Sequence, residues 1–302
     1  MQPWGSNIEW PGNWSDDTIS EAMRALNEPY SWWGWHGWSS QPVPLSITQI
    51  LQVGTMPAEL AALFWLSLER RASLILAADP PSSGKTTILT ALFTFLPPET
   101  RAYFTRGWGE TFDLPPLSDA APTYILVNEI SDDLPVYSWG PYVVRVFELL
   151  AEGYSLGSTM HADTVEEAIA QLEEEVGVPR RHLAHLTFIA TLRLVYAGGR
   201  ILRRLDEVAL LGPGDGAQND LSVTPVSSWD AERDFFRLLE REGSAAVLAR
   251  RLGLGEGELR QEMERRGQFL ARLVRDGVFT QAAVQRAVAE YRGGPTPKDA
   301  PC

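Results

Sequence analysis

Apolar positions along the chain fall into two alternating periods, with helical blocks separated by short β-branched runs. This is the order of an α/β domain. Thr55-Met56-Pro57 reads as a helix entry with proline in the first turn. Leu60, Leu63, Phe64 and Leu68 then give the helix Pro57–Arg71 an apolar face. Leu74–Ala78 is an apolar run suited to a buried parallel strand. It breaks at a Pro/Ser/Gly loop, and a helix with Ile88, Leu89, Leu92 and Phe93 follows, stopped by Pro97-Pro98. Arg101–Phe104 is a second strand candidate, and Thr105–Pro122 is an irregular linker.

Thr123–Glu129 predicts another strand. Val143–Glu152 predicts a helix with Val143, Val146, Phe147 and Leu150 on one face, ended by Gly153. Tyr154–Met160 predicts a strand. Thr164-Val165-Glu166-Glu167 then has the form of a capping box, opening a helix that Gly177 and Pro179 close. Leu186–Val195 and Arg200–Leu210 pair as a hairpin around Gly198-Gly199, and the Gly-rich stretch at Gly212–Gly216 ends the domain. Four helices are expected after it, over Trp229–Glu242, Ser244–Leu252, Glu256–Arg275 and Thr280–Arg292, with a Pro-rich tail behind them. The expected division is therefore an arm (1–44), an α/β domain (45–216) and a C-terminal helical domain with its tail (217–302).

Composition narrows the class. At 302 residues, 44% hydrophobic and 22% charged, the chain reads as globular. A net charge of −13 works against broad binding to nucleic acid. The only cysteine is Cys302, so neither a disulfide framework nor a thiolate metal site is expected. No run of 18 or more apolar residues is long enough to span a bilayer, and the N-terminus lacks the pattern of a signal peptide; the chain is read as cytoplasmic. The arm is unusual, since seven of the eleven tryptophans lie in it, four of them in Trp32–Trp38. Rings packed on the main domain or on a neighbouring subunit explain it better than a membrane surface, because no basic residues flank them. His36, within it, reads as structural.

The chemistry centres on Asp79-Pro80-Pro81-Ser82-Ser83-Gly84-Lys85-Thr86-Thr87. A loop between a strand and a helix N-terminus aims backbone N–H groups at an anion. Pro80, Pro81, Ser82, Ser83, Gly84, Lys85, Thr86 and Thr87 are the candidate phosphate-binding residues of a P-loop (Walker A) NTPase, with Lys85 reaching the β/γ-phosphates of ATP and the Thr86 hydroxyl on Mg²⁺. Asp79 stands where the motif has its first glycine; it tolerates left-handed backbone but puts a negative charge near phosphate. A serine-capped helix with no ligand would share much of this composition. Lys85 argues against that, because the chain has 24 arginines and only one other lysine, Lys298. Glu129, at the end of an apolar strand, fits the acid that holds the Mg²⁺ water shell or polarises the attacking water. His161, at the end of the Tyr154–Met160 strand, is delivered to the same sheet edge as a γ-phosphate sensor.

Phosphate loop, strand-end Glu and strand-end His, in this order, resemble the type II/type IV secretion and pilus-assembly ATPases, above all their archaeal and tight-adherence branch. The stretch Glu152–Ala162 resembles that family's histidine box, and Arg200–Glu207 its following basic strand. The resemblance implies a RecA-like P-loop ATPase core working as a ring, commonly a hexamer, with nucleotide between subunits. It also implies an inner-membrane platform protein as partner and a cytoplasmic location at the inner face of the membrane. Carried over, Lys85 binds phosphate, Thr86 and Glu129 serve the metal, and Glu129 and His161 are catalytic.

The sequence also departs from the family. Glu110 is the one candidate left of the acidic box before the Glu129 strand, and Ser131 stands where an arginine is expected. Where the family has a large N-terminal domain ahead of the core, the short Trp-rich arm is expected in its place. Arg101, Arg106 and Arg145 are the candidate arginine fingers. Two readings follow, a Mg²⁺-dependent ATPase motor subunit and a catalytically silent nucleotide-binding paralogue that partners an active ATPase. A small-molecule kinase would need an arginine-bearing lid and leaves the histidine box without a role. A DNA-binding tail would have to read DNA with a helix carrying Glu256, Glu258, Glu262 and Glu264, which phosphates repel.

Overall fold

Leu74–Ala77 (β1) has no polar position, and it is buried on both faces at the middle of the sheet. The computed structural model describes residues 45–79, 83–197, 199–214, 216 and 220–293. The Trp-rich arm, the loop residues Pro80–Ser82 and the Pro-rich tail lie outside the described residues. β2 (Arg101–Phe104), β3 (Thr123–Ile130), β4 (Ser155–Met160) and β5 (Phe188–Ala197) join β1 in a parallel arrangement. β6 (Arg200–Pro213), β7 (Leu221–Asp230) and β8 (Phe235–Leu238) extend it antiparallel. The order across the sheet is β2-β3-β4-β1-β5-β6-β7-β8.

Helices cover both faces. In chain order they are α1 (Ile47–Gln52), α2 (Ala58–Leu68), α3 (Lys85–Leu92), α4 (Pro141–Glu152), α5 (Val165–Ala170), α6 (Arg180–Leu183), α7 (Ser244–Arg251), α8 (Glu256–Arg275) and α9 (Gln281–Tyr291). Successive strand residues point to opposite faces. Leu74 and Leu76 accordingly join a core with α1–α3 and α7–α9, whereas Ile75 and Ala77 join a second core with α4–α6. Gly157 lets the layers close: a Cβ there would come within 2.3 Å of the Phe93 ring.

The hairpin around Gly198-Gly199 forms as expected, with Ala197 opposite Arg200. Two expectations are corrected. Trp229–Glu242 is not a helix; the segment completes β7, turns at Asp234 with φ 46°, and returns as β8. The sheet therefore runs on past residue 216. Tertiary partners decide this: the Arg204 guanidinium holds Asp234 through two bonds of 2.8 and 2.9 Å, and Trp229 Nε1 donates to the same carboxylate at 2.9 Å. The capping box at Thr164 is half formed. Thr164 Oγ1 accepts from Glu167 N at 3.1 Å, but the Glu167 carboxylate accepts from Asp163 N instead of returning to Thr164.

The C-terminal helices are clasped to α2 by Glu69. Its carboxylate accepts from Trp65 Nε1 at 2.7 Å, Arg266 at 2.6 Å and Arg292 at 2.6 Å. Trp65 stacks on Phe95, and the Arg266 guanidinium lies 4.8 Å from the Trp65 ring. Removing one member of a buried charged group strands the others. Glu69→Ala is expected to cost about 3 kcal/mol in denaturant unfolding, with a change in tryptophan emission before the transition. Full stability in this variant would show that apolar packing alone holds α8 and α9.

Candidate active site

β1 ends at Ala77, described structure continues to Asp79, and it resumes at Ser83, just ahead of α3. Gly84 caps α3 with φ 103°, a backbone region that costs a side chain dearly. The N–H groups of the first turn have no partner within the helix and face the loop. Ser83 is 1% exposed, and its hydroxyl has no hydrogen-bond partner among the described residues. A buried hydroxyl unpaired among the described residues, beside helix N–H groups that have no intrahelical acceptor, is the donor set an oxyanion uses.

Lys85 is 5% exposed. Its Nζ donates to Ala78 O at 2.9 Å and lies 3.4 Å from His161 Nδ1. Burial pulls the ammonium below the ordinary lysine value, opposed by the charges of Glu129 and Asp79. His161 Nδ1 is also 2.8 Å from Asp79 O, and its Nε2–H donates to Glu129 Oε1 at 2.8 Å. Lys85, His161 and Glu129 thus form one continuous polar chain across the ends of β1, β4 and β3.

A shift of register between Val127 and Ile130 breaks the β3–β4 ladder at the position of Glu129. Thr159 fills the gap, donating to Asn128 O at 2.9 Å with Glu129 Oε2 at 3.4 Å. The loop after β3 adds Asp133, whose carboxylate accepts from Ser131 Oγ at 2.7 Å. One ligand atom each from Glu129, Asp133 and His161 lie within 4.8 Å of one another. Tyr137 stands nearby; burial, then the charges of Glu129 and Asp133, push its phenol up.

The structure therefore brings together Lys85, Glu129 and His161, with Thr86 and Thr87 half-buried in the first turn of α3. Pro80, Pro81 and Ser82 lie outside the described residues. Glu110 is engaged in its own loop. Its carboxylate accepts from Tyr103 OH at 2.6 Å, Arg106 N at 2.8 Å and Phe112 N at 2.5 Å, an arrangement that shapes the turn after β2. Of the candidate fingers, Arg101 donates to the carbonyls of Ala121 and Pro116, and Arg145 pairs with Glu148 and Glu152.

Nothing in the sequence pattern marks Asp133, Tyr137 or Arg203 individually as neighbours of this site. Arg203 reaches from β6 to the phosphate loop, where Nε donates to Ser83 O at 3.0 Å and Cδ lies 3.4 Å from the place a Gly84 Cβ would take. The basic run Arg200–Arg204 was the available signal, but only the antiparallel pairing of β6 shows which arginine faces the loop. The donor set fits a Mg²⁺-bound phosphate: ammonium, helix N–H groups and an orphan hydroxyl for the anion, with Thr86, Glu129 and Asp133 as hard oxygen donors for the cation.

No protein-family model matches the chain. An uncharacterized protein of Methanocaldococcus jannaschii is 26% identical over 274 residues, covering 81% of this chain and 97% of the relative. A second uncharacterized protein of that organism is 25% identical over 284 residues, 83% of this chain but 50% of the relative, so the chain spans half that protein's length. Among solved structures, the chain is similar to the VirB11 ATPase of the Brucella suis type IV secretion system, solved in complex with sulphate. That match has 17% identity, covers 54% of this chain and 58% of the other, and has a TM-score of 0.37. It is also similar to the Legionella pneumophila ATPase DotB, with 11% identity, 84% of this chain and 64% of the other, and a TM-score of 0.35. At these scores the functional reading rests on the site's own geometry.

Three outcomes test that geometry. Lys85→Met removes a charge that burial disfavours, so the ligand-free protein is expected to unfold about 1 kcal/mol later while phosphate-ligand binding is lost. The same penalty makes ligand-free stability rise with pH as Lys85 gives up its proton between its lowered folded value and the ordinary 10.5. Arg203→Ala unties the loop from β6, and titration with a fluorescent nucleotide should show affinity falling about tenfold, the worth of one charge-assisted hydrogen bond, with the unfolding midpoint unchanged. Equal affinity would make Arg203 a bystander.

Proposed function

We propose that the chain is an ATP-binding, Mg²⁺-dependent ATPase subunit of the kind that drives secretion or pilus-like assembly. The observation that carries the reading is the Lys85–His161–Glu129 chain at one sheet edge. Strand order supports a RecA-like core: β4, which carries His161, lies between the loop-bearing β1 and the acid-bearing β3, so Lys85 and Glu129 stand one strand apart with the histidine between them.

The residues divide the work. Lys85 exchanges the Ala78 carbonyl for phosphate oxygens. Ser83 Oγ and the first N–H groups of α3 surround the same oxygens, and Arg203 holds the loop in that shape. Glu129 orients the attacking water and accepts its proton. His161, bonded to Glu129 on one side and beside Lys85 on the other, reports the arrival of phosphate at Lys85 to the catalytic carboxylate. Thr86 and Glu129 would hold a Mg²⁺ ion, which when bound would offset charge on the phosphates. Copies assembled as a ring, a membrane platform protein as partner, and a place at the cytoplasmic face of the membrane belong to this proposal.

One observation favours a second reading. Glu110 has its carboxylate occupied by Tyr103 and two backbone N–H groups, which leaves the acidic box without a demonstrated catalytic member. A nucleotide-binding partner that does not turn over would need only the loop. ATP titration followed by phosphate-release kinetics separates the two. The motor reading expects Lys85→Ala to abolish binding, and Glu129→Gln to keep binding while turnover falls about a hundredfold or more. Tight binding with no turnover in the wild type selects the silent partner, and no binding at all ends both.

A further inference from the structure

α8, at 20 residues, is the longest described helix. Its inner face carries Leu259, Met263, Leu270 and Leu273 into the core beside α2. On its outer flank Arg265, Arg272 and Arg275 line a cavity of about 480 Å³ together with Phe269, Tyr291 and Glu59. Three guanidiniums meet one carboxylate there, in a chain whose net charge is −13. Arg265 is paired with Glu262, while the Arg272 guanidinium lies 5.3 Å from the Phe269 ring. Arg272 and Arg275 are exposed and have no carboxylate partner among the described residues.

The opposite charge gathers on the other side of the sheet. α5 and the π-helical turn after it, Gln171–Glu175, carry Glu166, Glu174 and Glu175, all exposed and unpaired among the described residues. Neighbouring acids are already engaged, Glu173 with Arg180 and Glu167 with Asp163 N. Burial, then the charges of Glu166 and Asp206, push the Glu207 carboxyl up, which marks acids crowded beside this turn.

α8 belongs to the core on one face of the sheet and α5 to the core on the other. The two patches therefore cannot meet within one molecule. A two-fold dimer through either patch would set like charges against each other, so their complementarity is realised only head to tail. We propose that the arginine flank of α8 (Arg265, Arg272, Arg275) docks the acidic α5 turn (Glu166, Glu174, Glu175) of a second copy of this chain. Repeated from copy to copy, such a heterologous contact closes a ring or runs on as a filament. The inference gives a surface to the assembly proposed above and does not depend on the nucleotide site.

Charge reversal tests it on the full chain, read by sedimentation velocity over a range of protein and salt concentrations. Arg272→Glu with Arg275→Glu makes both patches acidic, and Glu174→Arg with Glu175→Arg makes both basic. Each variant is expected to associate at least about tenfold more weakly, and the wild type to weaken as salt rises. Mixing the two variants pairs every reversed patch with its complement, so association is expected to return. Nucleotide titration of the same samples should be unchanged, which separates failure here from failure of the ATPase reading. Unaltered association in either variant, no recovery on mixing, or a wild type that stays monomeric while its arginines bind anionic phosphatidylserine vesicles would overturn the proposal.

Discussion

A buried ammonium is tolerated only where fixed acceptors replace its water, and Lys85 has such acceptors because three parallel strands end together. Ala78 O, just past β1, accepts a hydrogen bond from it at 2.9 Å, and His161 beyond β4 stands next to it. Glu129 at the end of β3 supplies the opposite charge through that histidine. If the β1–β4 pairing moved by one residue, the lysine would keep its carbonyl but lose its histidine, and with it the link to Glu129. The parallel ladder is thus what makes a charge at this depth possible, and the affinity of the edge for phosphate follows from it.

The core of this arrangement was legible in the sequence, because it is local. An uninterrupted apolar run followed by a Gly-Lys-Thr turn can be read without neighbours, and so can an acid or a histidine at the end of a β-branched run. Arg203 was not legible, since its contact with Ser83 joins residues 120 positions apart and depends on which face of β6 it occupies. The helix expected over Trp229–Glu242 failed for a related reason. Phe236 and Leu238 turn inward while Phe235 and Arg237 face outward, a two-residue alternation too short to outweigh the apolar spacing of a helix. The deciding contacts, from Arg204 to Asp234, come from 30 residues away.

Energetically the molecule is built in two layers that share one sheet. The layer with α1–α3 also holds the C-terminal helices, whose aromatic cluster around Trp65 and Phe95 sits directly behind the short turn that ends α3. Arg292 donates to Phe95 O and Leu96 O, and Gln281 to Thr94 Oγ1, so the last helix grips the far end of the phosphate-loop helix. Movement of α3 along its axis would therefore be felt at α9 without passing through the sheet.

β6 holds two adjacent arginines with opposite duties. Arg203 points to the phosphate loop, whereas Arg204 is buried, bonded to Val53 O and to the carboxylate of Asp234. Neighbours on a strand face opposite ways, so an insertion or deletion of a single residue between the hairpin tip and this pair would exchange their positions. The loop anchor would turn into the interior and the interior anchor out to the loop. The register of β6 is consequently fixed from two sides, and a change in hairpin length leaves both arginines in place only if it falls at the tip.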